Sequence, residues 1–540
     1  MRHKPQGLTR WLISVGLGAC LSTGLSASFA SAVAADSDAP LRRVNLVFTN
    51  DFESAYDPIE AFWRDDIERI GGIAHLATLV DVVRDTEDTV FLFDAGDIFT
   101  GSLARRSKGA IAFDLMQLMR YDAMAIGNHE FEYGWEVFAD EKDRAPFPVL
   151  GANLKYKDSR YPYAQGWTII ERDGVRVGVI GLMGQDAATA LIPSHIAGVD
   201  VLPPEQVLRA LVPRLRPEVD VVVVLVHQGP TAPMQTDDEA DPSVYRGNLE
   251  NITLAGAVPG VDVIFAGHTD AGTESALIHP ETGTLIMQTW GQGQHLGSLQ
   301  LDLDAQGHIV AHHSRLIPVD ALRYPAHPVV SARLAHWRSA HPDLVEPVGV
   351  TGGPVVRRYY TESPLGNLYA DVARAATGSV VGLMPSGGLR RDLPAGVISR
   401  EVLIDSFPFQ DRLARVNLRG ALLLDVLEQG FSLERGLLQV SGIEVAYDPD
   451  APVGQRVRAV CVGDQALDPE QVYAVGTIEI IARGGDAYTQ FNDADQVELL
   501  GQSFYQALEA HFATQGNIAS PSTGRLHGSG STALSCTART

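Results

Sequence analysis

This 540-residue chain is short of positive charge: 42 Lys and Arg face 66 Asp and Glu, giving a formal net charge of −24. Sequence-independent binding to DNA or RNA needs clustered cations, so that class of function is excluded. A small anionic substrate is not excluded, because bound metal ions and a few local Arg residues can offset the field. Cysteine is scarcer still. The three present, Cys20, Cys461 and Cys536, lack the spacing of a thiolate metal site. If processing removes Cys20, the other two either pair or stay apart in an exported chain. Long apolar runs are missing as well: the stretch from Trp11 to Leu21 is too short for a membrane span. Internal repeats are absent, and no twin-Arg pair precedes that stretch.

What remains is an ordinary globular composition, 45% hydrophobic and 20% charged. It supports a large core rather than disorder, and at this length two domains are expected. The N-terminus reads as a processing segment. Arg2, His3, Lys4 and Arg10 form a basic region, an apolar stretch follows, and small residues dominate from Ser26 to Ala35. A signal peptide over residues 1–35 is expected, with a periplasmic or secreted product. Leu17-Gly18-Ala19-Cys20 also resembles a bacterial lipobox, which leaves a lipid anchor at Cys20 open.

Residues 44 to 300 alternate short apolar runs with helix-like stretches. Val44 to Phe48, Val90 to Phe93, Ala123 to Ile126, Val175 to Leu182, Val221 to Val226 and Val261 to Phe265 read as buried strands. Gly72 to Arg84, Ala110 to Met119 and Pro204 to Leu215 read as helices between them. Strands alternating with helices predict an α/β layered fold. Residues 41–320 form this first domain, and residues 321–345 a helical linker between prolines. Residues 346–515 form a second, smaller α/β domain. Residues 516–540, rich in Ser, Thr and Gly, are expected to be a flexible tail.

Polar residues repeatedly fall just after the apolar runs, where open α/β sheets place their sites. The clearest case is Gly127-Asn128-His129-Glu130-Phe131-Glu132-Tyr133-Gly134. It sets a metal-type ligand, Asn128, beside an acid/base candidate, His129. Glu132 is close enough to orient that imidazole. Asp51, Glu53, Asp97, His227, His268 and Asp270 stand at further strand ends. Any one of these alone is more often a turn residue or helix cap. Their joint occurrence points to a two-metal hydrolytic centre, which needs a bridging carboxylate and separate N and O ligands.

Five motifs follow one another in order: Thr49-Asn50-Asp51, Asp94-Ala95-Gly96-Asp97, Gly127-Asn128-His129-Glu130-Phe131, Val226-His227-Gln228-Gly229 and Ala266-Gly267-His268-Thr269. In this order the chain resembles the secreted 5′-nucleotidase / UDP-sugar hydrolase family of calcineurin-like metallophosphoesterases. The resemblance implies a four-layer α/β/β/α metallophosphoesterase domain followed by an α/β substrate-binding domain. It implies that Asp97 bridges two divalent ions, that Asn128, His227 and His268 complete one site, and that Asp51 belongs to the other. His129 would stabilise the transition state or leaving group, and a metal-activated water would attack phosphorus. The substrate would be a nucleotide or another small phosphate ester.

Three positions depart from the family pattern. Glu53 and Asp270 stand where the family carries His (or Gln at the second), and Glu132 stands where it carries Asp. The first two fall on the same ion. If both ligate, that ion is held by Asp51, Glu53, Asp97 and Asp270, an all-oxygen set favouring Mn²⁺ or Mg²⁺, while the His site suits Zn²⁺. In the second domain, Arg390 matches the Arg after the family's Gly-rich turn, and Phe409 matches the first of two base-stacking Phe. Asp411 follows it in place of an amide, and Asp486 closes the pocket. Arg357 or Arg358 covers another anionic contact, and Arg358 is the working assignment. The second stacking position falls on Ile480, which has no π-face. That change keeps alternative substrates open: a cyclic nucleotide, a sugar phosphate or a sulfur ester. A ligand-binding homologue with impaired catalysis is the third reading.

Overall fold

The computed structural model describes residues 41–230, 247–528, 534 and 536. The expected signal peptide and Cys20 lie outside the described residues. No helix among the described residues is long and apolar enough to cross a membrane.

The strand Val221–His227 shows why the apolar runs are continuous rather than alternating. It is buried along its whole length and pairs in parallel with Val175–Met183 on one side and Val263–Gly267 on the other. A parallel strand covered on both faces needs apolar residues at every position. Leu285–Gln288, Trp167–Arg172 and Leu277–Ile278 complete this six-stranded sheet. A second six-stranded sheet is built from Arg42–Thr49, Val90–Asp94, Ala123–Ala125 and Val149–Leu150 in parallel. His295–Leu303 returns antiparallel beside the first of these and pairs with Ile309–Pro318 at the edge.

Alternation along Arg42–Thr49 divides its side chains between two cores. Val44, Leu46 and Phe48 face the other sheet, meeting Val223, Leu225 and Phe265 in one cluster. The Phe48 and Phe265 rings stack at 4.0 Å. Val47 points the other way, toward Leu76 and Leu79 of the helix Ile73–Thr86. On the far side, Val222, Val224 and Val226 meet Leu208, Val212 and Leu215 of the helix Pro204–Leu215. The layers therefore run α/β/β/α, in agreement with the expected fold class.

The second region centres on a five-stranded sheet, Leu438–Ser441, Val381–Pro385, Val472–Ile478, Arg412–Arg419 and Gln496–Ser503. Its helix Pro364–Thr377 starts on a Ser363 cap that accepts from the Gly366 N–H, and stops at Gly378 in the left-handed conformation. The hydrophobic core is continuous between the regions: Leu76, Phe99, Tyr369 and Phe407 belong to one cluster. The helix Pro328–Ala340 packs back on the first region, where Trp337 Nε1 donates to Asp114 at 2.7 Å.

The expectation of a flexible tail from residue 516 is corrected for its described part. Asn517–Ile518 pairs in parallel with Pro347–Thr351, and Leu526–His527 with Ile443–Tyr447. Arg525 grips the Asp371 carboxylate with both terminal nitrogens, at 2.9 and 2.8 Å. A disulfide ties Cys536 to Cys461. Strand pairs of two residues leave no periodicity, and a polar tail held by distant partners reads as loose from composition alone.

Candidate metal centre and substrate cleft

All the motif residues of the first region sit at carboxyl ends of strands, and the parallel register brings those ends together. The cost appears in backbone conformation. Asp51, Glu53, Asp97, His268 and Asp270 have φ of 48°, 45°, 62°, 82° and 48°. Left-handed backbone in non-Gly residues costs on the order of 1 kcal/mol or more each and gathers at functional sites. Close approach also dictates Gly127: a Cβ there would stand 2.2 Å from Asp97 Oδ1.

Asp97 is the hub. Its Oδ2 lies 2.9 Å from His227 Nε2, and its Oδ1 accepts the His129 N–H at 2.7 Å. His227 Nδ1 donates to the Ala95 carbonyl at 3.0 Å, which turns Nε2 inward as the nitrogen that could meet a cation once its own proton is displaced. Asn128 Oδ1 lies 3.1 Å from that same Nε2. Both Asp51 oxygens accept the His268 N–H at 2.9 Å. His268 Nε2 is buried with no hydrogen-bond partner among the described residues, which suits a nitrogen ligand. Donor atoms of Asp97, His227 and His268 lie within 4.8 Å of one another, as do those of Glu53, Asp97 and His129. This mixed N/O set fits a divalent cation.

The electrostatics fit as well. Burial pushes Asp51 up to about 7. Burial acts to lower His227, yet Asp97 and Asp51 carry it up to about 10. Burial and the His227 charge push His268 well below the usual range. A metal-free centre therefore holds protons that a cation would displace.

His129 lies at the junction of the two groups. Its Nε2 is 3.3 Å from Glu53 Oε1 and 3.9 Å from Asp97 Oδ2. Its ring stacks on Phe409 at 5.7 Å between centroids. The expectation that Glu132 orients the imidazole meets a longer contact than a hydrogen bond allows. Glu132 Oε1 is 3.7 Å from Nδ1, which is charge contact.

Above these residues opens a cleft lined by both regions. Asp51, Glu53, Asp97, Asn128, His129, Glu132, His268 and Asp270 reach it from below, and Arg390, Phe409, Asp411 and Asp486 from above. His227 lies behind this wall. Arg357 lines the cleft and Arg358 does not; the Arg358 guanidinium donates to the Arg357 carbonyl at 3.0 Å. Of the two expected alternatives, Arg357 is thus the one at the cleft wall, a difference of one residue in register. Asp411 accepts the Ile480 N–H at 2.8 Å, and burial pushes its carboxyl up to about 8. Asp486, with φ 53°, donates its own N–H to the Thr189 carbonyl at 3.2 Å.

Sequence reasoning missed four contributors. Glu130 is fully buried and accepts N–H bonds from Asp97, Ile98 and Gly127 at 3.0, 2.8 and 2.6 Å. It ties two ligand loops together, and only its place inside the quoted motif could have flagged it. Arg435, with Nε 3.5 Å from Asp486 Oδ1, lines the cleft from a turn with no local signal. Leu191 and Ile192 form an apolar wall beside Ile480.

A two-sheet α/β frame that converges Asp, Asn and His on one buried point, roofed by Arg and Phe, defines a metal-dependent phosphoester hydrolase. The calcineurin-like phosphoesterase family model matches residues 45–271, and that of the 5′-nucleotidase C-terminal domain matches residues 347–493. The chain is therefore built from a calcineurin-like phosphoesterase domain followed by a 5′-nucleotidase C-terminal domain. It is 27% identical to the trifunctional nucleotide phosphoesterase protein YfkN of Bacillus subtilis, over 83% of this chain and 33% of that longer protein. It is 26% identical to the human 5′-nucleotidase, over 78% of this chain and 79% of that one. The crystal structure of a 5′-nucleotidase precursor from Thermus thermophilus is 27% identical, with a TM-score of 0.79 over 91% of this chain and 100% of that one.

Proposed function

We propose that the substrate is a nucleoside 5′-phosphate, hydrolysed at the phosphoryl end. The observation that carries this reading is the single cleft in which the metal-type donors face Arg390 and Phe409. Two divalent ions fit the donor set. One would be held by Asp97, Asn128, His227 and His268. The other would be held by Asp51, Asp97, Glu53 and Asp270, whose oxygens favour Mn²⁺ or Mg²⁺. When bound, such ions supply Lewis acidity, lowering the pKa of water and offsetting phosphoryl charge. His129, flanked by Asp97, Glu53 and Glu132, is held above its ordinary pKa against its burial. From its place on the cleft wall it would offer a proton or a positive charge to the leaving or equatorial oxygens. Arg357, Arg390 and Arg435 hold the anionic end, and Phe409 stacks on the base. Ile480 and Leu191 close the slot with apolar rather than aromatic surface.

Export is the second part of the proposal. The basic and apolar N-terminal pattern supports it, and so does the Cys461–Cys536 disulfide, a bond that persists in oxidising compartments. Hydrolysis of AMP, UDP-glucose, 2′,3′-cyclic AMP and a thiosulfate ester, each with Mn²⁺, tests the substrate. AMP is expected to give the highest kcat/KM. Turnover of the thiosulfate ester alone would replace the reading.

A further inference from the structure

The two carboxylates that depart from the family pattern, Glu53 and Asp270, share one neighbour. Arg390 Nη1 lies 3.3 and 3.4 Å from the two oxygens of Glu53. Burial works against the Arg390 charge, and the Glu53 and Asp270 carboxylates raise its pKa. All three line the same cleft. The Arg390 backbone is pinned by its N–H to the Ser406 carbonyl at 3.0 Å, and the guanidinium lies over the Phe409 ring at 5.4 Å. Carboxylates and cation come from different regions of the fold. A His at either position would be neutral and would not draw an Arg in this way.

We propose that Arg390 is the resident counter-cation of Glu53 and Asp270 and competes with the divalent ion those carboxylates would bind. This rests on the metal centre proposed above. A guanidinium against Glu53 opposes a second cation by direct charge and by occupying the same oxygens. The histidine site then fills first and the carboxylate site second, with lower affinity. An anionic substrate that draws Arg390 from Glu53 strengthens the second ion, and by linkage the second ion strengthens the substrate.

The test is Mn²⁺ titration of the metal-stripped, full-length protein, read by electron paramagnetic resonance and calorimetry without substrate. Wild type should bind one ion tightly and a second at least about tenfold more weakly. Arg390→Gln should tighten the second ion by about tenfold or more, leaving the first within about threefold. Arg390→Lys keeps the charge and should leave the second ion weak. Thermal melts of the stripped proteins establish that each variant is folded. An unchanged or weakened second ion in folded Arg390→Gln overturns the proposal, as does equal tightening in Arg390→Lys. Failure to bind even a first ion would instead overturn the metal centre on which it rests.

Discussion

On the histidine side of the centre the backbone does the positioning. His227 leans on the Ala95 carbonyl and His268 is reached through its own N–H, which both Asp51 oxygens accept. On the carboxylate side, Glu53 is held by a side chain from the other region, Arg390, and by the His129 ring. Backbone contacts within one sheet system form whenever the domain folds. A contact across the cleft also depends on how the two regions meet. One half of the centre is thus preorganised by the fold, and the other is open to adjustment by whatever binds Arg390.

The comparison breaks most severely at its shared member. Asp97→Asn should lower turnover by about 10³-fold and strip both ions, as read by metal analysis. Equal metal content in that variant would deny Asp97 its bridging place. Next in size, His129→Ala should cut kcat by about 10²-fold while metal content stays intact; parallel loss of metal would move His129 among the ligands.

The pH dependence sharpens the histidine side. In the metal-free molecule His227 is carried up to about 10, so it keeps its proton at neutral pH. A cation must displace that proton, and protonation therefore opposes binding. First-ion affinity should rise about tenfold per pH unit between about pH 7 and 9 and level off above about 10, as followed by Mn²⁺ titration. A flat profile would mean that Asp97 does not hold the proton on His227.

Smaller effects belong to the roof of the cleft. Phe409→Ala should raise KM for AMP by about tenfold, the worth of one base–aromatic stack, and leave KM for glycerol phosphate unchanged. Ile480→Phe should lower KM for AMP by up to a similar factor. A higher KM there would show that the slot is shaped for something other than a flat base. Least of all, Glu132→Gln should change kcat by only about threefold, because it removes the charge of one carboxylate at 3.7 Å and leaves Glu53 and Asp97 beside His129.

The strands were legible because a parallel strand covered on both faces must be apolar throughout, as Val221–His227 is. The candidate ligands were legible because they follow such runs directly, as Asp97 follows Val90–Asp94 and His268 follows Val263–Gly267. Helices were readable from periodicity between the strands, as at Pro204–Leu215. The second region was harder to read. Arg435 reaches the cleft from a turn, Leu191 and Ile192 enter it from the opposite region, and the choice between Arg357 and Arg358 depends on one residue of register.

By itself, then, the sequence determined the alternation of strands and helices, the order of the metal-type residues, and the two carboxylates that set this chain apart. These are local properties, written in side-chain period and in position relative to a strand end. The tertiary structure alone decided that Glu53 meets Arg390, that Glu130 binds two ligand loops at once, and that the C-terminal segment enters two sheets and a disulfide. Apart from the Gly127 bond to Glu130, those contacts join residues far apart in the chain, and their closeness follows from packing, which no window of sequence contains.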